Sequence, residues 1–242
     1  LQAWCAGHGA GMEPRFAAPT AEAVPGEVRW QRSSRALRVS LRIDVRTGQV
    51  VVTLPQRATR RAGAALLRAE AAWVRESLAA LAPHIPFAPD AVLPIGGVPH
   101  RVRLLADGSE ARIEPGAILV PGPEAMVGRR MLALLRGEAR RRIAAVAARH
   151  AAALGTQLGA VRLKDTRSRW GSCAADGTLA FSWRLVMAPD WVLDHVVAHE
   201  VAHLREMNHS AQFWALLARL SPQREATMAW LRANGPGLLR IG

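Results

Sequence analysis

One short segment constrains this chain more than any other: His199-Glu200-Val201-Ala202-His203, followed by a third histidine at His209. Its neighbours Trp191, Val192, Leu193, Val196, Val197, Val201 and Leu204 are apolar, so the segment reads as a helix that the rest of the fold must cover. Burying an unpaired His-Glu-His set is costly, because imidazole and carboxylate give up water without gaining partners. A metal ion removes that conflict. Residues four apart lie on one helix face about one turn apart, so His199 and His203 can grip a single ion. Glu200 then projects beside it, where a carboxylate can take a proton from water at the metal. His209 can close the site from beyond the helix end and leave a fourth position open. Three protein ligands with one open position is the arrangement of a catalytic zinc hydrolase, and the expected cofactor is one Zn2+ per chain.

Local signals set the limits of this helix. Asp190 follows Pro189 and is expected as the N-cap, and Asn208 and His209 lie just past Arg205-Glu206, where a helix can end and the chain turn back. His195 also precedes His199 by four residues, but His195, His199 and His203 would span about 12 Å of helix axis. An ion with bonds of about 2 Å cannot reach all three, so His195 is expected outside the ligand set. The spacing from His203 to His209 equals that of the metzincins; Glu206, however, holds the metzincin glycine position and no Met-turn follows.

The chain has 242 residues, half of them hydrophobic, which is enough for a substantial core in one domain or two small ones. No run of 18 apolar residues occurs, so no membrane span is expected, and the N-terminal LQAWCAGHGAGMEPRF lacks the pattern of a secretory signal. Residues 1–26 are expected to be disordered. The two cysteines, Cys5 and Cys173, imply no disulfide framework, in keeping with a cytoplasmic location. The formal charge is +13, and 31 of the 32 basic residues are arginine, Lys164 being the exception. Such a field attracts nucleic acid or acidic substrates. Its densest cluster, Arg129, Arg130, Arg136, Arg140, Arg141 and Arg142, falls on an expected helix over 124–154 with Met131, Leu132, Leu135, Ile143 and Val146 as its buried stripe. That cluster is either a solvated helix face or a nucleic-acid footprint.

Alternation predicts a hairpin of strands over 35–44 and 49–54, then a helix over 60–82 that Pro83 ends. Short strands punctuated by Gly96-Gly97, Asp107-Gly108 and Pro115-Gly116 fill 92–120, and Pro121-Gly122-Pro123 is the expected linker. Strands near 160–165, 170–173 and 178–185 come next, then the metal helix over 191–206 and helices over 210–220 and 222–233. The expected class is α+β: a β-rich region with a helix over 27–122, and a zincin-like domain with the HExxH helix over 123–242.

The strings Lys164-Asp-Thr-Arg-Ser-Arg-Trp-Gly-Ser-Cys173, Leu179-Ala-Phe-Ser-Trp-Arg-Leu185 and APDWVLDHVVAHEVAHLREMNHSAQFW resemble the YgjP-like zinc metallopeptidases, relatives of the SprT and Spartan group. The upstream RSSRALRVSLRIDVRTGQVVVTLP hairpin fits the same family, so the resemblance spans residues 28–233. It implies His199, His203 and His209 as zinc ligands and Glu200 as the catalytic glutamate. The Arg-Trp-Gly-Ser-Cys string belongs to the family's signature. One physical role for it is a strand beside the metal helix, with Trp170 near the cleft and a backbone edge for an extended peptide. Alternatively Trp170, Phe181 and Trp183 are core aromatics, as is expected of at least two of them. Arg167 and Arg169 either contact a substrate carboxylate or oxyanion, or face water. Cys173 is expected to be structural.

The leading expectation is zinc-dependent hydrolysis of a peptide or protein substrate, with Glu200 as general base. An open three-histidine site flanked by arginines also suits a phosphoanhydride such as a nucleoside triphosphate. A structural zinc in a nucleic-acid-binding module is disfavoured, since such sites fill all four positions. A hybrid, in which nucleic acid recruits the protease, would bind with steep salt dependence.

Overall fold

The computed structural model describes residues 26–166 and 169–242, so the expected disorder of the N-terminus and the side chain of Arg167 fall outside the described residues apart from Gly26. By contacts the chain divides into two compact units, described here over residues 26–83 and 84–242. The class is α+β.

In the first unit, β1 (Val28–Ser33), β2 (Ser40–Asp44) and β3 (Gln49–Pro55) form a sheet of order β1-β3-β2. The hairpin β2–β3 is antiparallel and turns through Gly48 at φ 71°, a left-handed conformation that glycine adopts freely. β1 adds to the other side of β3 in parallel, an element the alternation pattern did not reveal. With neighbours on both sides, β3 buries Val50, Val51 and Val52 completely. The expected helix over 60–82 is two helices, α1 (Arg60–Ala69) and α2 (Ala71–Ala79), because Glu70 leaves helical geometry at φ −96°, ψ 16°. Thr59 caps α1 by accepting a hydrogen bond from the Ala62 N–H.

The second unit opens with β4 (Val92–Ile95), β5 (Val98–Leu105), β6 (Arg112–Glu114) and β7 (Ala117–Pro121), in the order β4-β5-β7-β6. Pro121-Gly122-Pro123 lies inside this unit and leads through a 3-10 turn, Glu124–Met126, into α3 (Val127–Ala153). Every fourth residue of α3 from Val127 to Ala151 is buried, so the helix lays one long stripe on the core. Of the basic cluster, Arg141 and Arg142 both bond to Glu138, and Arg142 also reaches Asp190; Arg129, Arg136 and Arg140 are exposed.

A second sheet follows: β8 (Val161–Lys164), β9 (Gly171–Cys173) and β10 (Leu179–Ser182), in the order β8-β10-β9. A 3-10 turn, Trp183–Met187, connects it to α4 (Asp190–Ala202), and α5 (Ala211–Leu220) and α6 (Arg224–Leu238) complete the unit. Two expectations for α4 are corrected. Asp190 is its first residue rather than its cap, and its carboxylate pairs with Arg142 instead of with the helix's own N–H groups. The helix also ends at Ala202, four residues before the expected limit, because the chain tightens into a turn at His203. α6 runs further than expected, through Pro236. No described helix is long and apolar enough to cross a membrane.

Candidate metal centre

α4 is buried on nearly every side, with Val192, Val196, Val197 and Val201 at zero exposure in the core it shares with α3 and β10. Its last turn and the C-cap residue after it therefore present His199, Glu200 and His203 in a low-dielectric setting, at 2%, 3% and 6% exposure. Beyond the helix, the Asn208 side chain accepts from the Ser210 N–H, and Ser210 in turn caps α5 by accepting from the Phe213 N–H. This pair of local bonds sets the loop that carries His209 back over the helix end.

The three imidazoles meet. Their ligand atoms all lie within 4.8 Å of one another, and His209 Nε2 stands 3.2 Å from His199 Nε2. Two nitrogens each about 2.1 Å from one tetrahedral ion stand about 3.4 Å apart, so the spacing fits a shared ion. His203 directs Nδ1 at the Glu206 carbonyl, 2.9 Å away, which places its proton there and leaves the Nε2 lone pair free to ligate. Burial holds all three rings below the usual imidazole range, His199 down to about 2 with its histidine neighbours adding to the effect. The rings are thus neutral, the form a metal requires. The donor set fits a zinc ion. Phe213 supports all three, stacked on His203 at 4.5 Å and edge-on to His199 and His209.

Glu200 faces the same cleft, which measures about 20 Å3 and is lined by Arg169, Gly171, Ser172, Cys173, Met207 and the three histidines. Burial pushes its carboxyl up to about 8, against the opposing pull of Arg169 and of a hydrogen bond from the Cys173 backbone N–H. The contact with β9 is close: a Cβ at Gly171 would stand 2.6 Å from both Cγ and Oε1 of Glu200. The glycine of the Arg-Trp-Gly-Ser-Cys string is there because Glu200 occupies the space of a side chain. Residue spacing gives no hint of this contact, since the two residues are far apart in the chain.

The remaining expected residues separate. Arg169 is exposed and lines the cleft. Trp170 packs against α6, where a Cβ at Gly235 would meet its ring at 2.9 Å, and it is not among the lining residues. Phe181 and Trp183 are core aromatics. His195 is fully buried and bonds through Nδ1 to Ser221 Oγ at 3.0 Å, outside the ligand cluster. The Cys173 thiol is raised to about 11 by burial and the nearby carboxylates, so it stays protonated.

No curated protein matches this chain. The model of the YgjP-like, metallopeptidase domain family matches residues 39–234, most of the chain, and the protein belongs to that family.

Proposed function

We propose that the protein is a zinc-dependent peptidase in which His199, His203 and His209 hold the ion and Glu200 is the general base. The observation that carries this reading is the convergence of three neutral imidazoles and one buried carboxyl on a single cleft. A zinc ion there would supply Lewis-acid polarisation of the substrate carbonyl and lower the pKa of water at the site. Glu200, buried in the same cleft and held by the Cys173 N–H, is placed to take a proton from the attacking water and pass it to the leaving amine.

Strand β9 supports a peptide substrate. Bonds from the Ser182 N–H to the Trp170 carbonyl and from the Ala174 N–H to the Thr178 carbonyl fix which residues of this antiparallel pair face β10. By alternation, Gly171 and Cys173 direct their backbone groups to the opposite edge, over the cleft. The Cys173 N–H serves Glu200, and the Gly171 amide and carbonyl remain on that edge to pair with an extended chain. Met207, 49% exposed at the rim, offers an apolar contact to a substrate side chain, and Arg169 a cationic one.

The test is to measure zinc content and turnover on the purified chain, with casein and a panel of nucleoside triphosphates in parallel. One zinc per chain with casein cleavage supports the peptidase. Phosphate release with inert casein would move the same site to phosphoanhydride hydrolysis, with Arg169 as a phosphate contact. A narrower expectation concerns the glycine. Gly171→Ala should displace the Glu200 carboxylate and lower kcat about tenfold to a hundredfold while zinc content stays the same. Unchanged kcat in that variant would show that the carboxylate's position is not set by β9.

A further inference from the structure

We infer that Trp214 and Arg224 are positioning residues for the metal centre: the Trp214 indole, stacked on His209 and carrying the Arg224 guanidinium over its ring, orients the one ligand that α4 does not hold. This rests on the reading of the three histidines as zinc ligands. The ligands differ in how they are held. His199 lies in the buried last turn of α4 and His203 is its buried C-cap, with the Glu206 carbonyl fixing the His203 ring. His209 comes from a loop and is only partly buried. Among the described residues the one hydrogen-bond contact of its ring is to His199, itself a ligand. A metal-bound histidine ordinarily gives its second nitrogen to a carbonyl or carboxylate, which fixes the ring.

Aromatic packing takes that part here. The Trp214 ring stacks on His209 at 5.3 Å with 25° between planes, and Phe213 closes from the edge at 4.7 Å and 76°. Both come from the first turn of α5, which Ser210 caps directly after His209, so the loop and the rings that hold it are set by one helix start. Arg224, the first residue of α6, places its guanidinium 3.7 Å from the Trp214 ring centroid. The turn between α5 and α6 is itself anchored on α4 by Ser221 and His195. Among the described residues this exposed arginine has no ion pair; it is placed over an indole, and the indole is held against a ligand.

The test is zinc affinity, measured on the full chain by competition with a chromophoric chelator, together with the visible spectrum of the cobalt-substituted protein. Trp214→Leu is expected to weaken zinc about tenfold to a hundredfold, the usual effect of removing a ligand's support, and to alter the cobalt bands; Trp214→Phe should stay close to wild type. Arg224→Ala is expected to weaken zinc about two- to fivefold, with Arg224→Lys recovering most of the loss. Because Arg224 acts through the indole, its effect should vanish in the Trp214→Leu background. An equal Arg224→Ala effect in both backgrounds would overturn the inference, and so would wild-type affinity in a folded Trp214→Leu chain. Should Trp214→Leu fail to fold by circular dichroism, the exposed Arg224 variants decide: a loss rescued by lysine supports the stack, and no loss overturns it. A wild-type chain that binds no zinc overturns the ligand assignment and this inference together, whereas zinc-binding wild type with indifferent variants overturns this inference alone.

Discussion

Glu200→Gln should keep one zinc per chain while lowering peptide hydrolysis by about a thousandfold, within the range that general acid–base groups contribute. The carboxamide preserves the shape that fits against Gly171 and still accepts the Cys173 N–H, but it cannot take up the water's proton. Zinc content by atomic absorption and casein cleavage on the same sample check it; full turnover in the Gln variant would sink the mechanism. The substitution should also change stability, in the opposite direction. The ordinary value for the carboxyl is 4.5, and burial raises it to about 8 in the folded chain. Between those values the folded state keeps a proton that the unfolded state has released. The stability this group contributes is therefore complete below pH 4.5 and lost as pH rises through 8. The buried histidines make the same contribution to both metal-free proteins, so relative to Glu200→Gln the wild type should lose stability over that window, leaving the variant more stable at pH 8 by up to a few kcal/mol. Urea midpoints of both stripped proteins at pH 5 and pH 8 measure this, and parallel shifts would refute it.

His203→Ala is expected to weaken zinc by at least about a hundredfold and to abolish hydrolysis, since loss of a ligand's support alone costs ten- to a hundredfold. It removes one donor, the bond to the Glu206 carbonyl and the face stacked on Phe213, so about 1–3 kcal/mol of stability should go with it. Chelator competition on a variant shown to be folded by circular dichroism separates metal loss from unfolding. Wild-type zinc affinity in that variant would remove His203 from the ligand set.

What could be read ahead of the structure follows the range of the interactions concerned. The helix that carries His199 and Glu200 was legible because its evidence is local: two histidines one turn apart, a glutamate beside the first and a run of apolar neighbours. The exclusion of His195 rested on rise per residue alone, and the structure places it with Ser221 outside the cluster. Other expectations failed where a distant partner decides. Asp190 has the chemistry of an N-cap, but Arg142 of α3 takes its carboxylate. The helix over 60–82 had unbroken apolar periodicity, yet its backbone breaks at Glu70. β1 was not legible because only Val28-Arg29-Trp30-Gln31 alternate, too short a stretch to stand out, and its place in the sheet comes from parallel pairing with β3, which lies beyond the hairpin turn in the chain.

The division is clearest within the site itself. By itself the sequence determined which side chains are candidate donors, since helical geometry and the cost of burying unpaired imidazoles and carboxylates depend on residues within one turn of each other. Only the tertiary structure decided how those donors are held. Gly171 sits against Glu200, the Glu206 carbonyl sets the His203 tautomer, and Trp214 with Arg224 stacks on His209. The contacts of Gly171 and Arg224 join residues from separate strands and helices, and no local periodicity encodes them. Their physical basis is close packing between elements, which arises only when the chain has folded.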